Sequence, residues 1–215
     1  MAQLSDTFEV SIVNVIADGT SITAPAALYM ALYTDILTDD GTGTEVSGGS
    51  YARTAVMAAL PTASGASGTS TSNAAITFPT ASASWGTIKS FGLWTATTAG
   101  TLYARGVFGD DPWGFTATAS DDVLFVPGSD YAVSDQLVAF AVPTRSLPTG
   151  MSEDTVYFIK TEPTTGSYTI STTDGGATLN ITANGAGYLR KLTPQAVANG
   201  NTFNVPSGSF KVVVA

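Results

Sequence analysis

The residues able to do chemistry in this chain are few, and most are carboxylates. The 215-residue sequence has neither histidine nor cysteine. That removes any Ser-His or Cys-His nucleophile pair, an imidazole base, a thiolate metal site and disulfide or iron–sulfur chemistry. What remains is 17 acidic residues against 8 lysines and arginines. Two groups of acids could matter. Asp35, Asp39, Asp40 and Glu45 share one polar segment and could offer oxygen ligands to calcium. Their spacing does not follow the alternating D-x-D-x-D-G loop, so a solvated loop is the expectation. Asp110-Asp111 and Asp121-Asp122 could be imagined as glycosidase carboxylates, which must face each other across a sugar bond. Adjacent strand residues point to opposite faces, and nothing in the sequence brings the two pairs together. No catalytic residue, metal site or cofactor is therefore expected.

Two further sets bear on binding. Glu45 and Arg53 flank the Gly48-Gly49 turn. Because one loop presents both, a structural ion pair pinning that loop to the next strand is favoured over an interface charge. Such a pair is worth about 1 kcal/mol or less if exposed and more only if buried. Between residues 110 and 195 the chain carries Trp113, Phe115, Tyr131, Tyr157, Phe158 and Tyr168. These rings could pack the core of a small β domain, which is the expected reading, or stack on a host glycan. Trp113, Phe115, Tyr131 and Tyr157 are the interaction candidates for that second role.

The elements that must position these groups are strands. Charged residues make up 12 % of the chain, mean hydropathy is +0.21, and Thr, Ser, Ala and Gly dominate the rest. That composition suits pleated sheets better than charged helix surfaces. A formal charge of −9 and a pI near 4.1 argue against nucleic-acid binding. No apolar run is long enough to span a membrane, and the N-terminus lacks the basic and apolar regions of a signal peptide, so synthesis in a cytoplasm without export by that route is expected.

One helix is predicted over 5–17. Phe8, Ile12, Val15 and Ile16 form a stripe expected to lie on a sheet, with Ser5 or Asp6 as N-cap and Asp18-Gly19 as the stop. Strands are predicted at Ala27–Thr34, too apolar to have a wet face, and at Tyr51–Ala58, Ala74–Phe78, Thr87–Thr95 and Thr101–Phe108. The last two should form a hairpin around Thr98-Ala99-Gly100. A low-complexity loop covers 61–73. A terminal hairpin of Thr202–Val205 and Phe210–Val214 is expected through Pro206-Ser207-Gly208. Val212-Val213-Val214 is apolar on both faces, so it should be sandwiched or covered by a neighbouring subunit.

The stretch 110–195 holds ten of the 17 acids and reads as an inserted β subdomain. Its candidate strands are Gly114–Ala119, Asp122–Val126, Gln136–Val142, Thr155–Lys160, Ser167–Ser171 and Thr178–Ile181. The fold class is thus all-β: an antiparallel β-sandwich of 1–109 plus 196–215 with one N-terminal helix, interrupted by a small β subdomain at 110–195.

The run Thr23-Ala24-Pro25 through Tyr33-Thr34, followed by Gly43-Thr44-Glu45-Val46-Ser47-Gly48-Gly49-Ser50-Tyr51-Ala52-Arg53, resembles a family of small tailed-phage virion proteins. Ser72-Asn73-Ala74, Trp85-Gly86-Thr87, Gly92-Leu93-Trp94 and Gly100-Thr101-Leu102-Tyr103 continue the pattern, and residues 197–214 correspond to the family's terminal hairpin. Glu45 to Arg53 is its most specific part. Members are labelled tail fibre or minor structural proteins, and related folds serve as head decoration proteins. Trp85 and Trp94 occupy family positions and are expected in core or subunit packing. Leu147-Pro148-Thr149-Gly150, Thr155 to Ile159, Ser167 to Ser171 and Gly175-Gly176-Ala177 are similar to a β repeat of phage tail and decoration proteins.

The resemblance implies a non-enzymatic virion component assembled in the host cytoplasm. Its expected partners are other virion proteins, major capsid or tail. A homo-oligomer is implied, a trimer by analogy. Capsid decoration or cement is the leading role, with a tail or tail-fibre part, binding host carbohydrate through the insertion, as the alternative.

Overall fold

The computed structural model describes residues 3–63, 68–141 and 145–213. In chain order these form β1 (Gln3–Leu4), α1 (Asp6–Asp18), β2 (Tyr29–Tyr33), β3 (Thr54–Ala55), β4 (Thr69–Thr71), β5 (Ile76–Thr80), β6 (Gly86–Ile88), β7 (Ser90–Trp94) and β8 (Leu102–Val107). Six strands follow: β9 (Trp113–Thr118), β10 (Val123–Phe125), β11 (Gln136–Phe140), β12 (Val156–Thr164), β13 (Ser167–Ser171) and β14 (Gly185–Lys191). The chain closes with β15 (Gln195–Val197), β16 (Thr202–Val205) and β17 (Lys211–Val213). The protein is all-β with one N-terminal helix. It divides into a unit of 1–108 with 194–215 and a unit of 109–193.

The first unit is built on an antiparallel sheet ordered β1-β8-β7-β2-β3. β2 lies between β7 and β3: its Met30, Ala31, Leu32 and Tyr33 are all buried, so neither face of this strand meets water. One face, with Met30, Leu32, Phe91 and Leu93, packs into the main core beside Phe78, Trp85, Phe203 and Phe210. The other face, with Ala31, Tyr33 and Leu102, is covered by Leu37 of the loop after β2. Three two-stranded ladders, β15–β6, β16–β5 and β17–β4, supply the opposing layer. Phe203 meets Phe78 and Phe108 edge-on at 5.7 and 5.2 Å, and Phe210 meets Phe91 at 5.4 Å. Such pairs add about 0.5–1.5 kcal/mol each beyond the area they bury.

Several expectations are corrected here. The terminal hairpin does not form: β16 pairs with β5 and β17 with β4, so both strands are claimed by partners more than a hundred residues away. Phe203, Val205 and Phe210 gain more by entering the main core than by facing one another. Val214 lies outside the described residues, as do 64–67 of the low-complexity loop, whose Thr69–Thr71 is strand β4. The predicted strand Tyr51–Ala58 shrinks to β3 followed by a 3-10 turn at Met57–Ala59.

The helix begins and ends where its caps dictate. Ser5 Oγ accepts from the Phe8 amide and donates to the Leu102 carbonyl, and Gly19 closes the helix at φ 74°. Its stripe does not lie on the sheet, for no residue of α1 is buried. The N-terminal half docks, with Phe8 stacked on Tyr103 at a centroid distance of 4.4 Å and Ser11 and Ile12 partly buried. Val10, Val13, Val15 and Ile16 are exposed, Ile16 at 82 %.

The second unit is a closed antiparallel barrel ordered β10-β13-β12-β11-β14-β9. Closure leaves no edge strand. Leu124, Leu137, Ile159, Ile170 and Leu189 fill its interior. The predicted strand Thr178–Ile181 is irregular, and the missing wall is β14, Gly-Ala-Gly-Tyr-Leu-Arg-Lys. Its glycines hide it from propensity reasoning but are required by proximity: a Cβ on Gly187 would stand 2.6 Å from the Phe140 carbonyl oxygen.

Candidate functional site

Glu45 and Arg53 are brought together. Glu45 enters beside β2 through a bridge to Tyr33, and Arg53 precedes β3. Arg53 Nε donates to Glu45 Oε1 at 2.8 Å and Nη2 to Oε2 at 2.7 Å. Nη1 donates to the carbonyls of Ala96 and Ala99 in the β7–β8 turn, while the Trp94 ring centroid lies 4.6 Å from Cζ. Tyr51 donates to the same Glu45 Oε1 at 3.0 Å and accepts from the Leu32 amide. The Arg53 side chain is 7 % exposed and that of Glu45 27 %. Burial pulls the guanidinium pKa down, but the hydrogen bonds and charge of Glu45 outweigh it, so the arginine sits above its ordinary value. Burial likewise raises the Tyr33 phenol to about 12 and pushes Tyr51 up. Arg53, Glu45 and Tyr51 thus bond to one another and to the backbone, tying three loops to β2.

The glycine pair between them has a specific task. Gly49 lies at φ 53° and its carbonyl accepts from Trp85 Nε1 at 2.9 Å. A Cβ there would come within 3.0 Å of the Ala83 carbonyl oxygen.

The neighbouring acids are each engaged as well. Asp35 accepts from the Thr44 amide, Asp40 from Thr38 Oγ1 and the Thr42 amide, and Asp39 Oδ1 lies 3.2 Å from Arg105 Nε. Burial raises the Asp39 pKa against the opposing pull of Arg105. Among the described residues no three acids are grouped as a metal site. Asp110-Asp111 and Asp121-Asp122 lie beyond opposite ends of β9, a six-residue strand. That separates them by roughly 20 Å, far beyond the spacing of a glycosidase pair.

Three of the four aromatic interaction candidates cannot present a ring to a ligand. Phe115, Tyr131 and Tyr157 are buried in the barrel core. Phe115 alternates inward along β9, Tyr157 alternates inward along β12 and accepts from the Ser152 amide through its hydroxyl, and Tyr131 packs on Tyr168 at 5.4 Å. Burial also raises the Tyr131 phenol. Only Trp113 is accessible, at 41 %, lying against Gly128 at the start of β9.

Two exposed rings of the barrel escaped the sequence reading, Phe125 at 50 % and Tyr188 at 45 %. Their neighbours Leu124 and Leu189 point into the core, so both rings stand on the outer wall. Along that wall Phe125 is paired with Thr116, Thr116 with Ala186, and Tyr188 with Gly114. The signal was parity: once Leu124 and Leu189 are placed inside, their neighbours must face out.

Comparison with known families settles what kind of chain this is. A family model described as podophage GP4 fiber I protein gp80 matches residues 3–112, just over half of the chain. The chain belongs to this family. It is a phage structural protein of the fibre type, and a virion component. The match takes in the helix, the whole five-stranded sheet and the Glu45–Arg53 node. It does not extend to 197–214, which the sequence resemblance had equated with a family hairpin. A comparison with curated proteins found no match.

Proposed function

We propose that this chain is a building block of a virion fibre, an oligomer that works by adhesion and catalyses nothing. The observation that carries the reading is the fibre-family match across the first unit. It favours a tail-fibre part over the capsid cement that was the leading sequence expectation. Helix α1 supports self-association. Val10, Val13 and Ile16 recur every three residues on it, all exposed, in a helix with no fully buried residue. Burying such side chains between copies contributes about 25 cal/mol per Å² of apolar surface, and repeated copies multiply weak contacts. A trimer is the proposed state, with other virion proteins as partners and assembly in the host cytoplasm.

The test is the mass of the full chain in solution by light scattering, together with its copy number in purified virions. A trimer that falls to monomer in Val13→Asp/Ile16→Asp, present in a handful of copies per particle, supports the reading. A wild-type monomer, or hundreds of copies spread over the head, overturns it.

A further inference from the structure

We propose that the outer wall of the barrel formed by β10, β9 and β14 is a binding surface for a saccharide that carries a carboxylate. This inference concerns the second unit alone and does not depend on where the chain sits in the virion.

The wall has a floor of small residues and a rim of large ones. Gly114, Thr116, Thr118 and Ala186 form the floor, because Phe115, Ala117 and Leu189 between them are committed to the core. Phe125 rises beside Thr116 on one side, and Tyr188 rises over Gly114 at the other end. A Cβ on Gly114 would meet the Tyr188 ring at 3.7 Å, so the ring lies beside the glycine, and Tyr188 remains 45 % exposed. The segment Arg145-Ser146 continues the wall beyond β14, where the Ala186 amide donates to the Ser146 carbonyl. Thr116, Thr118, Arg145, Ser146, Asn184 and Ala186 line an open groove of about 550 Å³. Three strand spacings separate the Arg145 segment from Phe125, or roughly 14 Å, wide enough for sugar rings laid flat.

Chemistry selects the occupant. Exposed aromatic residues beside a floor of hydroxyls, an amide and small residues suit a ring that is apolar on its C–H face and polar at its edge. The charge then narrows the class. The unit has ten acids and four bases, Arg145, Lys160, Arg190 and Lys191. Lys191 is paired with Asp135 at 2.7 Å, Lys160 donates to Thr178, and Arg190 is buried with its Cζ 6.0 Å from the Phe140 ring centroid. Arg145 is exposed, has no ion-pair partner among the described residues, and lines a groove that contains no carboxylate. A guanidinium fork is the side chain best matched to a carboxylate. On so acidic a unit it offers a local site for the acid group of a uronic or sialic residue.

The test uses the full-length protein and pairs of oligosaccharides ending in glucuronic acid or in glucose, which differ by the carboxylate. Saturation-transfer NMR and a glycan array read binding. The acid sugar should be preferred by about tenfold or more. Arg145→Gln should erase that preference while weak binding of both sugars survives, and Arg145→Lys should keep part of it. Tyr188→Ala and Phe125→Ala should each weaken both sugars by about tenfold, and the buried-ring variant Tyr157→Phe should change neither. Thermal midpoints equal to wild type establish that these surface variants are folded. No binding of either sugar at millimolar concentration overturns the proposal, as does binding that ignores Tyr188 and Arg145. Equal binding of both sugars by wild type overturns the carboxylate assignment.

Discussion

Arg53 holds Glu45 by two parallel hydrogen bonds of 2.8 and 2.7 Å, and the same guanidinium closes the β7–β8 turn through the carbonyls of Ala96 and Ala99. One side chain therefore joins the loop after β2, the approach to β3 and a turn more than forty residues later. Its guanidinium lies over the Trp94 ring. The most specific stretch of the sequence resemblance is thus a construction joint.

Breaking that joint should cost stability. Arg53→Met strands a partly buried carboxylate and two carbonyls, and should destabilise the first unit by about 2–4 kcal/mol, somewhat below a fully buried pair because Glu45 keeps some solvent. In a double-mutant cycle with Glu45→Gln, denaturant unfolding should show about 1–2 kcal/mol of coupling. An uncoupled pair with single effects under about 0.5 kcal/mol would mark both charges as surface residues.

Gly49→Ala should lower the thermal midpoint, while Gly48→Ala should be milder. Both residues have positive φ, but a Cβ meets nothing within 4 Å at Gly48 and the Ala83 carbonyl oxygen at 3.0 Å at Gly49. The strain alone is about 1–2 kcal/mol at each site, and the Gly49 variant must also disturb the Trp85 bond. Equal effects at the two positions would contradict this assignment.

A chain ending at residue 193 should lose the first unit. Val197, Phe203, Val205 and Phe210 all leave the main core, and Ser72 loses the amides of Gly208 and Phe210 that its hydroxyl accepts. Removing one large core side chain costs about 2–5 kcal/mol, so losing these four together is comparable to the whole of a domain's usual stability, about 5–15 kcal/mol. Near-ultraviolet circular dichroism of Trp85 and Trp94 should collapse, while the barrel, which has its own core, keeps its strand signal. A native-like tryptophan spectrum would sink the prediction.

The phenols supply a pH signature. Burial raises Tyr33 from an ordinary value of 10.0 to about 12. A folded value above the unfolded one means that the fold favours the protonated phenol. The stability this contributes is complete below pH 10 and drains away as pH rises from 10 through about 12. In an ultraviolet titration, Tyr33→Phe should remove amplitude near pH 12 and leave the part near pH 10 unchanged. Loss of amplitude near 10 would show an accessible phenol.

What the sequence determined by itself was everything governed by local chemistry or by composition. The absence of histidine and cysteine, the strand-rich class, an N-cap at Ser5 or Asp6, the stop at Gly19 and the two-faced burial of β2 follow from composition or from residues close together in the chain. Tertiary structure decided which apolar groups meet. Phe203 and Phe210 look like two arms of a hairpin, yet each pairs across more than a hundred residues, because the main core offers more apolar surface than a neighbouring strand. Phe8, Ile12 and Ile16 sit on one helical face, yet Phe8 and Ile12 are only partly buried and Ile16 stands in solvent. Tyr157 and Tyr188 are equally aromatic in the sequence, but only the closure of the barrel sends one inward and the other to solvent, since strand parity acquires a meaning once an inside exists.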